Sequence, residues 1–360
     1  MLIDPLMVAS NLGSYEVVFT EDKEFSFPSL DPKHVIAVVD RNVWERYQAS
    51  VLRQFAVYKI ILLDVHEEMK TLNTVMTIYD EIMQYAPKKN MTLISVGGGI
   101  TQDVTGFVAS TLYRGIRWIY IPTTVLAQAD SCIGSKTSLN YEHYKNLLGT
   151  FFPPKMVVIH PALTDSLAEI DYFSGLGEIA KLHLLGGNDL LEELVADYDA
   201  IMERNREALT RAVYRSLTIK KAYIEEDEFD SGKRNLLNYG HCFGHAIESA
   251  AHYAIPHGQA VVAGMMMANE VAMRRGDISA KEKESIERRV LSPLVRFDWK
   301  LIRDIDSEKV VEAMGKDKKR TGADLALILP GGELGMQKIH DLKHEEALSV
   351  LRSFVNDDRN

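Results

Sequence analysis

Five short apolar runs along the first half of the chain constrain its fold more than any other feature. They are Val35-Ile36-Ala37-Val38-Val39, Lys59-Ile60-Ile61-Leu62-Leu63, Met91-Thr92-Leu93-Ile94-Ser95-Val96, Trp118-Ile119-Tyr120-Ile121-Pro122 and Lys155-Met156-Val157-Val158-Ile159. Apolar and polar residues barely alternate within them, so a strand built from each has to be covered on both faces. The stretches between, such as the amphipathic span from Glu67 to about Tyr85, are long enough to be the covering helices. The pattern predicts a parallel, doubly wound sheet, and the ends of such strands are where nucleotides bind.

From about Thr164 the texture changes. Helical periodicity dominates over 190–204, 206–226, 240–253, 258–275 and 280–290, and a late strand pair at 325–329 and 336–339 flanks Pro330-Gly331-Gly332. The fold class expected is α/β: an N-terminal Rossmann-like domain over 1–162 and a mostly α-helical C-terminal domain over 163–360. Two domains also suit a chain of 360 residues, which is too long for one small core. The formal net charge of −10 argues against nucleic acid or an anionic membrane as partner, because polyanions demand a basic face. Any phosphate site therefore has to be local. Two cysteines are too few for a disulfide framework, and neither a signal-like N-terminus nor a bilayer-length apolar run is present. A soluble protein in a reducing, cytoplasmic setting is expected.

Two constellations carry chemistry. Gly97-Gly98-Gly99 follows a predicted strand, with Asp103 four residues on and a helix expected next. Glycines there let backbone N–H groups approach a pyrophosphate at a helix N-terminus, although such a cluster is often an ordinary turn. The second is His241-x-x-x-His245, with His257 downstream and Glu178 far upstream. Histidines four apart on a helix share a face, and three nitrogen or carboxylate ligands with one open position suit a catalytic divalent metal. An isolated pair of this spacing is more often a surface or capping feature. Between the two lie Arg114, Asp130, Lys136, Lys145, Asn146, Lys181, Lys220, Arg234 and Asn238, several among small or apolar neighbours. So many cationic and amide groups suggest a pocket for a hydroxylated polyanion.

The blocks Gly97-Gly98-Gly99-Ile100-Thr101-Gln102-Asp103, Tyr113-Arg114-Gly115, Pro122-Thr123-Thr124-Val125-Leu126-Ala127-Gln128-Ala129-Asp130-Ser131, Lys145-Asn146, Ser174-Gly175-Leu176-Gly177-Glu178-Ile179-Ala180-Lys181 and Asn238-Tyr239-Gly240-His241-Cys242-Phe243-Gly244-His245-Ala246-Ile247-Glu248 resemble the signature blocks of 3-dehydroquinate synthases, a family of sugar phosphate cyclases. The likeness runs in order from about residue 35 to about 330 and includes Asp317-Lys318-Lys319.

The resemblance implies that Glu178, His241 and His257 bind a metal, normally zinc, with cobalt or another divalent ion as alternatives. It implies NAD held by Asp40, Asn42, Glu67, Lys70, Gly98, Gly99, Asp103, Thr123, Thr124, Lys145 and Ser166. Substrate contacts would come from Asp130, Lys136, Asn146, Lys181, Lys220, Arg234, Asn238, His245 and either Lys318 or Lys319, and Arg114 would reach across a homodimer interface. The reaction implied is cyclisation of a seven-carbon keto-acid phosphate with loss of phosphate, in a pathway to aromatic amino acids. A divergent sugar phosphate cyclase acting on a related keto-acid phosphate, or on a carboxylate-free sugar as 2-deoxy-scyllo-inosose and valiolone synthases do, is the alternative within the family. Metal-dependent alcohol and glycerol dehydrogenases, which share the architecture, are the alternative outside it. Arg234 and Lys220 stand at the positions of a carboxylate clamp and favour the keto acid. Departures from the family pattern include Ser135 and Ser138 where glycines are typical, Tyr144 before Lys145, Asp230 for a glutamate, and Leu182-His183 after Lys181. Ser135 and Tyr144 are expected to add bulk near the nicotinamide and phosphate.

Overall fold

In the computed structural model, which describes residues 3–21, 25, 30–142, 144–315 and 325–355, all five apolar runs are strands of one seven-stranded sheet. Along the chain, β1 (Leu6–Val8) and β2 (Tyr15–Phe19) precede β3 (Val35–Asp40), β4 (Lys59–Leu63), β5 (Thr92–Gly97) and β6 (Arg117–Pro122). A ribbon of β7 (Lys136–Tyr141) and β8 (Tyr144–Phe151) stands apart, and β9 (Met156–Ile159) returns to the sheet. The order is β1-β2-β9-β6-β5-β3-β4; every neighbouring pair is parallel except β1 with β2. All six residues of β5 are buried, which is why the run could not alternate. The antiparallel pairs β1–β2 and β7–β8 lie outside the apolar runs, and sequence reading had not marked them.

Helix α1 (Arg41–Tyr47) follows β3, with the Asp40 side chain accepting from Asn42 N. Helix α2 (Leu72–Met83) buries Thr74, Val75, Ile78 and Ile82 and starts after the Thr71 cap. The expected amphipathic stretch is therefore divided: Glu67–Met69 forms a separate 3-10 turn. Helix α3 (Gly99–Thr111) begins within the glycine cluster, so Asp103 lies in its second turn and not ahead of it. A side chain at Gly97 would bring a Cβ within 2.4 Å of Thr101 Oγ1, so this tight turn requires glycine.

The chain divides into two units after Leu167, whereas sequence texture places a boundary near residue 162. The Tyr47 hydroxyl explains the extra residues, donating toward Ala162 O at 3.1 Å and Ser166 Oγ at 3.0 Å. The first unit also takes back Ile224–Phe229. There the Glu228 carboxylate accepts from Asn11 N at 2.7 Å and Asn11 Nδ2 at 2.9 Å.

The second unit is built on α4 (Glu169–Leu185), α5 (Asn188–Met202), α6 (Arg206–Glu226, whose last residues belong to the first unit), α7 (His241–Ala250) and α8 (His257–Arg275). Then come α9 (Ala280–Ile286), α10 (Lys300–Arg303), α11 (Ser307–Gly315), the hairpin β10 (Leu325–Pro330) and β11 (Met336–Leu342), and α12 (His344–Val355). Helix α8 is its core: Met265, Met266 and Met267 are buried among small residues, as their apolar setting predicts. Close helix approaches rest on glycine. A Cβ on Gly177 would meet Gly258 O at 2.5 Å, and one on Gly264 would meet Gly240 O at 2.0 Å. Among the described residues no helix is long and apolar enough to cross a membrane.

Candidate active site

The contact of Gly177 with Gly258 sets the geometry of the second unit's polar centre, because Glu178 and His257 are their immediate chain neighbours on α4 and α8. Glu178 is 1% exposed. Its Oε1 lies 3.2 Å from His257 Nε2 and 3.6 Å from His241 Nε2. Ligand atoms around a tetrahedral ion with bonds of 2.0–2.2 Å stand about 3.4 Å apart, so the three fit one divalent cation. The other ring nitrogens are held as metal-ligating histidines require: His241 Nδ1 is 3.1 Å from Tyr239 O and His257 Nδ1 is 3.1 Å from Glu248 Oε2. His245, one turn along α7, completes a triangle of imidazoles whose ring centroids are 5.1–5.4 Å apart. Its ligand nitrogen is within 4.8 Å of those of His241 and His257.

Electrostatics sharpen the arrangement. Lys181, 2% exposed and one turn after Glu178, pairs with Glu178 Oε2, so the buried carboxylate has its counter-charge on the same helix. Burial, with Lys181 and the other two histidines nearby, holds His241 well below its usual value, in the neutral form a metal needs. Burial also acts to lower His257, but its contacts with Glu178 and Glu248 outweigh that and push it up to about 10. A cavity next to these groups is lined by Asn235, Asn238, His241, Cys242, His245 and Lys338, against β10. Lys220 on α6 and Arg234 in the 3-10 turn Lys233–Asn238 are both buried. Lys318 and Lys319 lie outside the described residues.

In the first unit the expected cofactor residues gather at the carboxyl ends of the parallel strands. Asp40 ends β3, Glu67 and Lys70 follow β4, Gly98 and Gly99 follow β5, and Thr123 and Thr124 follow β6. The chain passes from β3 to β4 on one side and to β5 on the other, and such a reversal opens a crevice for a nucleotide. Three observations fit a dinucleotide. Asp40 is a partly buried acid, its carboxyl raised by that burial. No side chain caps the first-turn N–H groups of α3, leaving them for an anion. A Cβ on Gly98 would stand 3.1 Å from Thr124 Cγ2, so glycine leaves room there. Asn42 is exposed in the first turn of α1, and Ser166 is held by Tyr47.

Beside this edge a hydrogen-bonded network joins residues far apart in sequence. Lys70 Nζ is 2.5 Å from Asp103 Oδ2 and 2.6 Å from Asn146 Oδ1. Ser138 donates its N–H to Asp103 Oδ1 at 3.0 Å, and its hydroxyl lies 2.9 Å from both Asp103 Oδ2 and Asn146 Oδ1. Asn140 Nδ2 donates to Glu67 Oε1 at 2.8 Å, Lys145 Nζ lies 3.7 Å from the same oxygen, and Asn140 Oδ1 accepts from Asn146 N at 3.0 Å. Burial raises the Asp103 carboxyl despite Lys70. Asp130 is half-buried in a π-helical turn, Ala127–Ser131, and Lys136 is exposed at the start of β7.

Sequence reading missed Glu248, Ser138, Asn140 and Lys338 as members of these clusters. Glu248 was legible, since seven residues after His241 is the same helix face. Ser138 stood out only as a departure, and neither Asn140 nor Lys338 carried a signal. Ser135, expected to add bulk, sits at φ +64° with its hydroxyl 3.3 Å from Glu228 Oε1, while Tyr144 is 57% exposed.

The sequence profile of the 3-dehydroquinate synthase N-terminal region matches residues 60–174, and that of the 3-dehydroquinate synthase C-terminal region matches 175–320. The chain belongs to the 3-dehydroquinate synthase family. A curated family member, the 3-dehydroquinate synthase of Dictyoglomus turgidum, is 32% identical over 345 residues, covering 92% of this chain and 96% of the relative. Among solved structures, a 2-deoxy-scyllo-inosose synthase complexed with carbaglucose-6-phosphate, NAD+ and Co2+ matches with a TM-score of 0.82 and 22% identity, over 97% of this chain and 100% of that one. The 2-epi-5-epi-valiolone synthase of Streptomyces hygroscopicus, with NAD+ and Zn2+ bound, matches with a TM-score of 0.81 and 24% identity, over 97% and 99%. At these identities the structural matches establish that the family fold, a parallel sheet followed by a largely helical region, is the fold of this chain.

Proposed function

We propose that this chain converts 3-deoxy-arabino-heptulosonate 7-phosphate to 3-dehydroquinate and phosphate, as a metal- and NAD-dependent carbon–oxygen lyase in a cytoplasmic route to aromatic amino acids. The observation that carries the reading is the convergence of Glu178 Oε1, His241 Nε2 and His257 Nε2 on one point, with Lys181 balancing the charge. When bound, NAD supplies a transient hydride acceptor left unchanged over a turnover, and a divalent ion, zinc by preference, supplies a Lewis acid. Asp40 suits a ribose hydroxyl pair, the α3 N-terminus suits the pyrophosphate, and the other cofactor residues named above complete the site.

The chain's own residues then divide the substrate between them. Arg234 and Lys220, buried and cationic, suit the carboxylate that separates this substrate from carboxylate-free sugars. Lys136 and His245 neutralise charge gathering on the departing phosphate and Asn146 and Asn238 donate hydrogen bonds to it, while Asp130 and Lys181 orient hydroxyls. One C–O bond to phosphate breaks and one ring C–C bond forms, with no net oxidation. Holding the flexible opened chain for that closure is a matter of orientation.

The same proposal includes a homodimer. Tyr113, Arg114 and Gly115 have φ of +51°, +64° and +116°, a strained turn that holds Arg114 outward, and α2 exposes Leu72, Met76 and Met83.

The test is phosphate release by zinc-loaded protein with catalytic NAD, beside the Arg234→Ala variant. Release with dehydroquinate formed and no net NADH, lost in the variant, is expected. A folded, metal-bound protein without turnover sinks the substrate assignment.

A further inference from the structure

The cavity beside His245 has an unusual balance of polar groups. Its walls carry imidazoles, carboxamides, a thiol and one ammonium, Lys338 on β11, and no carboxylate among the described residues. Among the described residues Lys338 has no carboxylate within ion-pair distance. Its Nζ instead donates to Asn235 Oδ1 at 3.0 Å. Asn235 is itself fixed: its Nδ2 donates to Asp230 O at 3.1 Å and Oδ1 at 3.2 Å, and its backbone oxygen accepts from Asn238 Nδ2 at 2.8 Å. Asp230, Asn235, Asn238 and Lys338 thus form one connected group. The ammonium is aimed by an amide, which leaves its charge unneutralised.

We infer that Lys338 binds the phosphate of the substrate in this cavity, with Asn235 as its positioning residue. The inference rests on the function proposed above and adds a group to it. An ammonium has three donors, and with one spent on Asn235 two remain for oxygens that a ligand brings. A tetrahedral phosphate offers acceptors in several directions and suits a point charge, whereas a planar carboxylate suits the fork of a guanidinium. His245 and Asn238, which line the same cavity, add donors for the same anion. Lys338 reaches solvent, so a ligand entering the cavity can meet its free donors directly.

The experiment reads phosphate binding without turnover. Inorganic phosphate is titrated calorimetrically into zinc- and NAD-loaded wild type, Lys338→Met, Lys338→Arg and, as a distant control, Lys300→Met. Loss of one charge-assisted contact weakens phosphate about ten-fold or more in Lys338→Met, with KM for the heptulosonate phosphate rising in parallel. Lys338→Arg keeps most of the affinity and Lys300→Met keeps all of it. Equal phosphate affinity in wild type and Lys338→Met overturns the inference, as does a wild type that binds no phosphate at millimolar concentration. A lowered melting temperature in Lys338→Met with unchanged phosphate affinity assigns the residue to holding β11, and overturns it too. Phosphate binding that depends on Lys338 in a protein unable to cyclise the heptulosonate would leave the inference standing and remove the proposed activity.

Discussion

The two polar clusters differ in how they are assembled. In the second unit, Glu178 and Lys181 are one helical turn apart on α4, and His241, His245 and Glu248 follow one face of α7. Only His257 comes from a third element, delivered by a glycine-to-glycine helix contact. In the first unit, Glu67, Lys70, Asp103, Ser138, Asn140 and Asn146 come from a 3-10 turn and its C-cap, a helix and a two-stranded ribbon, with hydrogen-bonded partners up to 76 residues apart. Glu178 and Lys181 at the base of the metal cluster are buried, so each of these charges needs its partner. The network at the strand ends is more open and shares its bonds among several groups, so a single loss there costs less. Helical spacing makes a rigid ligand set from few contacts, and loops make a tunable one from many.

The comparison is broken most directly at the metal. Replacing His257 or His241 by alanine removes a proposed ligand, and metal content and turnover are expected to fall together, turnover by about a thousand-fold or more. His245→Ala is expected to keep the metal and lose on the order of a hundred-fold in turnover. Elemental analysis beside phosphate release checks both. Loss of metal from His245→Ala would move that residue into the ligand set.

Lys181→Met tests the buried pair. It removes the closer of the two cations beside Glu178 in the metal-free protein and leaves His257 as the other, so a loss smaller than the about 3–5 kcal/mol of a fully uncompensated buried charge is expected in urea unfolding. Bound divalent metal should restore much of it. An unchanged metal-free stability would mean that Glu178 takes up a proton instead.

His183 probes burial without a charge partner. Its Nδ1 lies 2.8 Å from Ile179 O, and Nε2 meets no partner among the described residues. Burial lowers it to about 4, against the bond to Ile179, which raises it. The folded value is depressed, so the stability linked to this neutral histidine is complete above about pH 6.5 and drains away as pH falls toward 4. On the order of 3 kcal/mol is at stake. Unfolding curves at pH 7 and 4.5 should converge for His183→Leu relative to wild type; parallel shifts in both would exclude His183 as the source.

The smallest effect belongs to the open network. Ser138→Ala removes one hydroxyl from Asp103 and Asn146 while the Ser138 N–H bond remains. A few-fold rise in KM for NAD and a stability loss of about 1 kcal/mol are expected from steady-state kinetics and melting. A hundred-fold change would show that this network is as brittle as the metal cluster.

The amino-acid sequence by itself determined whatever depends on local periodicity. The unbroken apolar runs at 35–39 and 92–96 could only be strands covered on both faces, and α6 spans Arg206–Glu226 as its spacing predicts. The i, i+4 pair His241 and His245 placed two imidazoles on one face for the same reason. The tertiary structure alone decided the order of the sheet, the pairing of β7 with β8, and the return of Ile224–Phe229 to the first unit. It alone brought Lys338 to Asn235, 103 residues away, and Ser138 to Asp103. A single hydroxyl or ammonium leaves no periodic mark in a sequence. Its partner is chosen when packing brings distant backbone together, through glycines whose missing Cβ atoms let helices approach to contact.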